Sequence, residues 1–411
     1  MMEPGYKKRI LFVDDEPRIL QGLRRMLYAK RGEWEFDFAE DGPSALALLE
    51  AGGYDVVVSD MRMPGMTGAQ LLSEVKKRHP RVTRIILSGQ SDLQWVMQSV
   101  GVAHQFLAKP CEFEVLEVVL SRTFALSALL EDPTLKQVIG LTSSLPSLPS
   151  LYLEIRREME SEDCSLERVG RIVSRDMAMT AKVLQLVNSA FFGLPQKIAN
   201  PAQAVLFLGL KTLETLILSL HIFSGFRQGE RFGSFVADLW EHSLLTSELA
   251  KAIAWEETRD RALADEAAMA GLLHDCGKLV LADNFPDRYA QVLTRSAAER
   301  LPVWQVEEEI FGTSHGLVGA YLLGLWGLPH AIIETLAFSH HPQASPLKTF
   351  SVLTAVHGAD SLISSRDPEE KPGSGWEMKT DYLESLGLLS SLSAWRELVF
   401  RNKGGNGRPI D

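Results

Sequence analysis

Apolar residues in the first 125 positions come in short runs that alternate with amphipathic stretches. Arg9-Ile-Leu-Phe-Val13 ends at an acidic pair, the pattern of a buried parallel strand. Helical spacing follows at 17–30 (Ile19, Leu20, Leu23, Met26, Leu27), then a strand at Trp34–Ala39 and a helix at Gly42–Ala51 opened by Pro43. Tyr54-Asp-Val-Val-Val-Ser59 predicts a buried strand ending at Asp60, followed by a Gly/Pro/Met loop and a helix from Ala69 to about Arg78. Arg84-Ile-Ile-Leu87 reads as a fourth strand, 91–101 as a helix, Gln105-Phe-Leu-Ala108 as a fifth strand and about 112–130 as a last helix. This alternation predicts an α/β unit, a five-stranded parallel doubly wound sheet over residues 1–127.

After Leu130 the strand signal stops. Asp132-Pro133 and Ser143-Ser-Leu-Pro-Ser-Leu-Pro-Ser150 punctuate a linker at 128–150. Helical spacing then recurs at 151–161, 165–174, 176–190, 201–227, 234–256, 262–274, 285–298, 302–311, 315–326, 329–340 and 347–364, an all-α domain over 151–364. A polar stretch at 366–376 leads to one or two helices within 380–401, and Gly404–Asp411 is expected to be disordered, so 365–411 reads as a helical extension with a loose tail.

A net charge of −11 on 411 residues argues against a broad nucleic-acid footprint, because phosphate binding needs clustered Lys and Arg. The 3 cysteines, Cys111, Cys164 and Cys276, are odd in number and far apart, which points to a reducing cytoplasm rather than a disulfide framework. The opening Met-Met-Glu-Pro-Gly-Tyr-Lys-Lys and four apolar residues are too short for a secretory segment, and no stretch approaches the ~18 apolar residues of a membrane span. The expectation is a cytoplasmic protein.

Open α/β sheets place their chemistry at the carboxyl ends of the strands. There the first strand delivers Asp14 and Asp15, the third Asp60, the fourth Ser88 and the fifth Lys109. Phosphoryl transfer to a carboxylate needs this set. Hard oxygens of Asp14, Asp15 and Asp60, with the carbonyl of Arg62, suit Mg²⁺, while Lys109 and the Ser88 hydroxyl would meet phosphate oxygens. The segments Val13-Asp-Asp-Glu-Pro17, Ser59-Asp-Met-Arg-Met-Pro-Gly-Met-Thr-Gly68, Leu87-Ser-Gly89 and Phe106-Leu-Ala-Lys-Pro110 resemble the receiver (CheY-like) family over roughly residues 8–127. The resemblance implies phosphorylation of Asp60 by a cognate histidine kinase, movement of Ser88 toward the phosphoryl group and inward rotation of Phe106. The competing reading is a receiver that folds without being phosphorylated.

In the helical half, Asp238 and His242 share a helix face, His274-Asp275 close an apolar segment, His315 opens a helix, His340-His341 close another, and Asp360 lies on a later one. Imidazole with carboxylate is a ligand set for Mn, Fe, Zn or Ni. His221 and His357 read as core histidines, Cys276 as a small packing residue, and Trp240 and Trp326 as core aromatics.

This half resembles the HDOD family from about Leu141 to Ile363. The matching pieces are Leu145-Pro-Ser-Leu-Pro149, Ile172-Val-Ser-Arg-Asp176, Val187-Asn-Ser-Ala-Phe-Phe-Gly193, Gly271-Leu-Leu-His-Asp-Cys-Gly-Lys-Leu279 and Gly312-Thr-Ser-His-Gly-Leu-Val-Gly319. HDOD domains are regarded as non-catalytic signalling modules related to the HD phosphohydrolases. Active cyclic di-GMP phosphodiesterases of the HD-GYP type use an ordered metal set that Asp238, His242, His274, Asp275, His315, His340, His341 and Asp360 could supply, with Lys278 near the phosphate. The Gly-Tyr-Pro loop is absent, since Pro-Gln-Ala-Ser-Pro follows His341.

Three functions follow. The first is a response regulator phosphorylated on Asp60 that signals to a downstream protein through a non-catalytic helical domain, with a homodimer left open. The second is a metal-dependent phosphohydrolase gated by that phosphorylation, and buried histidines hydrogen-bonded in a core are the bland alternative to its site. The third, a DNA-binding regulator, is disfavoured by the charge and by the lack of a basic recognition helix.

Overall fold

The apolar runs pair as predicted in the computed structural model. It describes all residues except 1–6, 90–94, 97–98, 128–129, 131, 143–144, 146–153, 156, 160, 162, 191, 193, 195, 211, 214–228, 365–377 and 402–411. Strands β1 (Lys8–Val13), β2 (Trp34–Ala39), β3 (Val56–Asp60), β4 (Thr83–Gly89) and β5 (Gln105–Lys109) form one sheet in the order β2-β1-β3-β4-β5. Every pairing is parallel, and the register sets Asp60 beside Leu87 and Ser88 beside Ala108. All five residues of β3 are buried, which is why its sequence is uniformly apolar up to the final Ser-Asp.

Helices α1 (Pro17–Met26), α2 (Gly42–Glu50), α3 (Gly68–Arg78) and α4 (Phe113–Leu126) cover the sheet. Their starts are locally encoded. Pro17 occupies the first turn of α1, the Asp41 carboxylate caps α2 by accepting from Ser44 N at 2.7 Å, and Thr67 with Gln70 forms a capping box on α3. A Cβ at Gly68 would meet the Asp60 carbonyl oxygen at 2.0 Å, so glycine there lets α3 begin against the end of β3.

The stretch expected to be a linker contains an ordered helix, α5 (Pro133–Leu141), capped by Asp132 and with Leu135 and Ile139 buried. The helical half continues with α6 (Leu166–Val173), α7 (Met177–Val187), α8 (Pro201–Leu208), α9 (Gly229–Thr258, kinked at Phe232), α10 (Arg261–Leu273), α11 (Cys276–Asn284), α12 (Pro286–Glu299), α13 (Val303–Phe311), α14 (His315–Leu325), α15 (His330–Phe338) and α16 (Val352–Ser364).

Three differences from the sequence reading stand out. The run Leu279-Val-Leu-Ala282 belongs to a helix, α11, that periodicity alone left unassigned. The helix expected from 201 ends at Leu208, because Gly209 turns to φ 75°. The helix expected from 347 starts at Val352, after a short 3₁₀ turn at Pro342–Ala344. The predicted tail at Gly404–Asp411, His221, most of Leu145–Pro149, and parts of the predicted helices at 91–101, 151–161 and 201–227 lie outside the described residues.

The two halves share a core. One apolar cluster runs from Leu11, Ile86 and Phe106 through Leu126 and Ile139 to Leu184 and Trp326. A Cβ at Gly324 of α14 would meet Leu126 Cδ2 at 2.4 Å, so a helix of one half lies directly on α4 of the other. Past α16, the extension supplies α17 (Thr380–Ser385) and α18 (Leu392–Arg401). Trp395 is fully buried and donates from Nε1 to Glu257 Oε1 at 2.8 Å, which makes this segment part of the helical core. No described helix is long and apolar enough to cross a membrane.

Candidate functional sites

At the carboxyl edge of the sheet, Lys109 Nζ bonds Asp14 Oδ2 at 2.6 Å and also contacts Asp60 Oδ1. Asp60 Oδ2 accepts from the backbone N of Arg62 at 2.7 Å, and Asp14 Oδ1 accepts from Glu16 N at 3.0 Å. Burial raises the Asp60 carboxyl above its ordinary range, against the opposing pull of Lys109. Burial also works against the charge on Lys109, but its bonds to Asp14 and Asp60 outweigh that and hold its ammonium up. Asp15 is half-buried beside them, Ser88 is buried at the end of β4, and Phe106 is fully buried, its ring inside the core. Asp14 and Asp60, bridged by Lys109, offer hard carboxylate oxygens that fit Mg²⁺ by the chemistry of the donor set, and Asp15 follows Asp14 in the chain.

A second constellation lies in the helical half, built where helices break or begin. His274 closes α10, Asp275 directly precedes α11, and His315 opens α14. Glycine brings them together. A Cβ at Gly277 would meet the His315 carbonyl oxygen at 2.0 Å, and one at Gly316 would meet the Leu336 carbonyl oxygen at 2.5 Å. Asp275 Oδ1 is 3.0 Å from His315 Nε2 and 3.4 Å from His274 Nε2, and Asp275 Oδ2 is 2.6 Å from Lys278 Nζ. His242 Nε2, from α9, is 3.0 Å from Asp360 Oδ1. His340 Nε2 faces His315 Nε2 at 2.8 Å.

Burial opposes the charge on Asp275, yet His274, Lys278 and His315 hold its carboxyl well below the usual range. Burial pushes the His274 and His340 imidazoles down. In His315 the same burial is outweighed by Glu307 and Asp275, so that ring is raised.

Metal fit rests on His274. Its Nδ1 lies 2.7 Å from the Gly271 carbonyl oxygen, which fixes the proton there and leaves Nε2 as a lone pair. That Nε2 is buried with no hydrogen-bond partner, and the ligand atoms of His242, His274 and Asp275 all lie within 4.8 Å of one another. A buried acceptor aimed at two other acceptors is what a cation site requires.

Family models for the response regulator receiver domain and the HDOD domain match residues 10–121 and 145–342. The chain joins a response regulator receiver domain to an HDOD domain. An uncharacterized protein of Treponema pallidum is 29% identical over 225 residues, covering 55% of this chain and 43% of that one. The hydrogenase transcriptional regulatory protein HoxA of Cupriavidus necator is 37% identical over 103 residues, 25% of this chain and 21% of that one. The solved MmoQ response regulator of Methylococcus capsulatus is 24% identical with a TM-score of 0.46, covering 62% of this chain and 98% of that one. The chain spans less than half the length of these two curated relatives.

Not every residue of the expected HD-type set is in the cluster. Asp238 is exposed on α9, one turn before His242, and His341 is turned outward, 3.7 Å from Glu308 Oε1. A helical turn of spacing allows Asp238 to share a face with His242, but the angular drift over four residues leaves it on the solvent margin. His340 and His341 lie past the end of α15 at Phe338 rather than closing it, and of the two rings one points inward and the other out.

Sequence reasoning missed Glu307. Its Oε2 accepts from His315 N at 2.8 Å and lies 2.6 Å from His315 Nδ1, and its Oε1 accepts from Tyr289 Oη at 3.2 Å. The available signal was an acid on the apolar face of Val303–Phe311, hidden among three consecutive glutamates. His357 is a core histidine as expected, with Nδ1 3.2 Å from the Ser339 carbonyl oxygen and Nε2 accepting from Lys379 N at 3.2 Å. Cys276, Trp240 and Trp326 are likewise buried.

Proposed function

We propose that this protein is a phosphorelay response regulator in which a histidine kinase phosphorylates Asp60 and the HDOD domain relays the signal to a downstream protein. The observation that carries this is the lysine bridge: Lys109 Nζ, at the end of β5, spans Asp14 after β1 and Asp60 at the end of β3. A phosphoryl group on Asp60 would take over the Lys109 charge and the Ser88 hydroxyl. Bound Mg²⁺ would supply charge neutralisation, held by Asp14, Asp15, Asp60 and the main chain at Arg62. Phe106 and Ser88 lie on the strands that also meet the helical half, so a change at Asp60 has a short mechanical path to the output. Acetyl phosphate with Mg²⁺ should label the wild type and leave Asp60→Ala unlabelled. Equal labelling of both removes the proposal.

A second reading is favoured by the unpartnered His274 Nε2. It makes the HDOD domain a metal site held by His242, His274, Asp275 and Asp360, with His315 and His340 alongside. A bound metal there would activate water against a phosphoester. Lys278 and Glu307 would orient Asp275 and His315, and the HD-type phosphohydrolase becomes the alternative to a purely protein-binding output. Metal analysis of the purified chain and of His274→Ala tests it. A stoichiometric metal lost in the variant supports the site, and its absence from the wild type ends this reading.

A further inference from the structure

A cleft of about 490 Å³ opens where the receiver meets the helical half, at the end of the sheet opposite Asp60. The receiver supplies Lys8, Tyr54, Asp55, Thr83 and the segment Arg78–Arg81, while Lys136 of α5 and Tyr321 of α14 come from the far side. Its size suits a nucleotide-sized ligand.

The charge of the lining stands against that of the chain. Lys8, Arg78, Arg81 and Lys136 face one carboxylate, Asp55, in a protein of net charge −11. Asp55 is already satisfied: Oδ1 takes Lys8 Nζ at 3.1 Å and Oδ2 takes Arg9 N at 2.9 Å. Arg78 is drawn outward to Glu50 and Glu74, each at 3.0 Å. Arg81 is exposed on the rim and makes no hydrogen bond or ion pair with any described residue. Two residues away, His79 lines the cleft with its Nε2 buried and unpartnered. Arg81, without a partner among the described residues, and His79, whose buried Nε2 can donate when it carries the ring proton, line one cleft, an arrangement that an anion would complete.

The two walls are in direct contact. A Cβ at Gly140 would meet the Pro80 carbonyl oxygen at 1.9 Å, so α5 lies directly against the Arg78–Arg81 segment. A ligand seated here would touch both domains at once.

We propose that this cleft binds a small organic phosphate, of nucleoside monophosphate size, whose phosphate pairs with Arg81 and His79 and which thereby ties the receiver to the helical half. The site is separate from Asp60 and from the histidine cluster.

The test is calorimetric titration of the full chain with AMP, inorganic phosphate and adenosine. AMP should bind and adenosine should not. Arg81→Glu should weaken AMP at least about tenfold, Arg81→Gln should weaken it less, and Lys136→Glu, on the opposite wall, should weaken it independently. His274→Ala should leave binding unchanged, which separates this site from the HDOD metal reading. The proposal is overturned if neither AMP nor inorganic phosphate binds. It is overturned equally if adenosine binds as well as AMP, if the Arg81 variants bind like the wild type while melting like it, or if His274→Ala abolishes binding.

Discussion

The Arg84 guanidinium of the receiver donates from Nη2 to the Gly140 carbonyl oxygen of α5 at 2.7 Å, a bond that joins β4 to the helical half. Arg84 is only 1% exposed, and its other donors go to the carbonyl oxygens of Val102 at 2.6 Å, Val82 at 3.3 Å and Pro80 at 3.4 Å. Gln185 Nε2 of α7 returns the contact by donating to the His104 carbonyl oxygen at 2.9 Å. A planar fork with several donors is suited to this cluster of acceptors, and a lysine ammonium is not.

Arg84→Met should therefore leave several carbonyls buried without donors, each worth roughly 1–3 kcal/mol. Urea unfolding is expected to shift to lower concentration and split into two transitions as the halves uncouple. Arg84→Lys should not restore the single transition. A single unshifted transition in Arg84→Met would show that the seam holds without it.

Gly277 is the contact point that sets Asp275 against His315. Gly277→Ala inserts a Cβ 2.0 Å from a backbone oxygen and should destabilise the helical half by roughly 3 kcal/mol. Gly22 of α1 is exposed, and a methyl group there would have nothing within 4 Å, so Gly22→Ala should stabilise the receiver by about 0.5–1 kcal/mol. Thermal melts of the two variants should move in opposite directions.

Lys109 neutralises two buried carboxylates at once. Lys109→Met leaves Asp14 and Asp60 facing each other without it and should cost about 2 kcal/mol in EDTA, with Mg²⁺ restoring part of the loss. A variant as stable in EDTA as the wild type would mean that the bridge contributes nothing to folding.

Burial pushes the His357 imidazole down to about 4. The folded value lies below the unfolded one of about 6.5, so the unfolded chain takes up the proton first. The stability that neutral His357 confers is complete above about pH 6.5 and is lost as pH falls toward 4, by up to about 3 kcal/mol. Asp275 and Asp360, both held below the usual carboxyl range, lose theirs at still lower pH. Urea midpoints should fall between pH 7 and 5, and His357→Gln should flatten that slope.

Glu307 holds His315 by two contacts. Glu307→Gln keeps the size but removes the charge that raises the His315 imidazole, so the His315 ring should titrate at lower pH in the variant by NMR. An unchanged titration would assign the raised value to Asp275.

What the chain dictates locally was legible in its residues: short apolar runs became β1 to β5, Pro43 stood in the first turn of α2, and the acids at strand ends followed from the parallel order. The ordered Asp14, Asp15, Asp60, Ser88 and Lys109 set could be read because each lies at a strand terminus, and strand termini converge by topology. Helices give no such guarantee. Which ring of His340-His341 turns inward, that Asp238 stays outside, that Glu307 clamps His315, and that Arg84 reaches Gly140 all depend on interhelical and interdomain distances of a few ångströms. Those distances are set by packing between elements remote in sequence, through contacts such as Gly277 on His315, and periodicity along one chain segment carries no information about them.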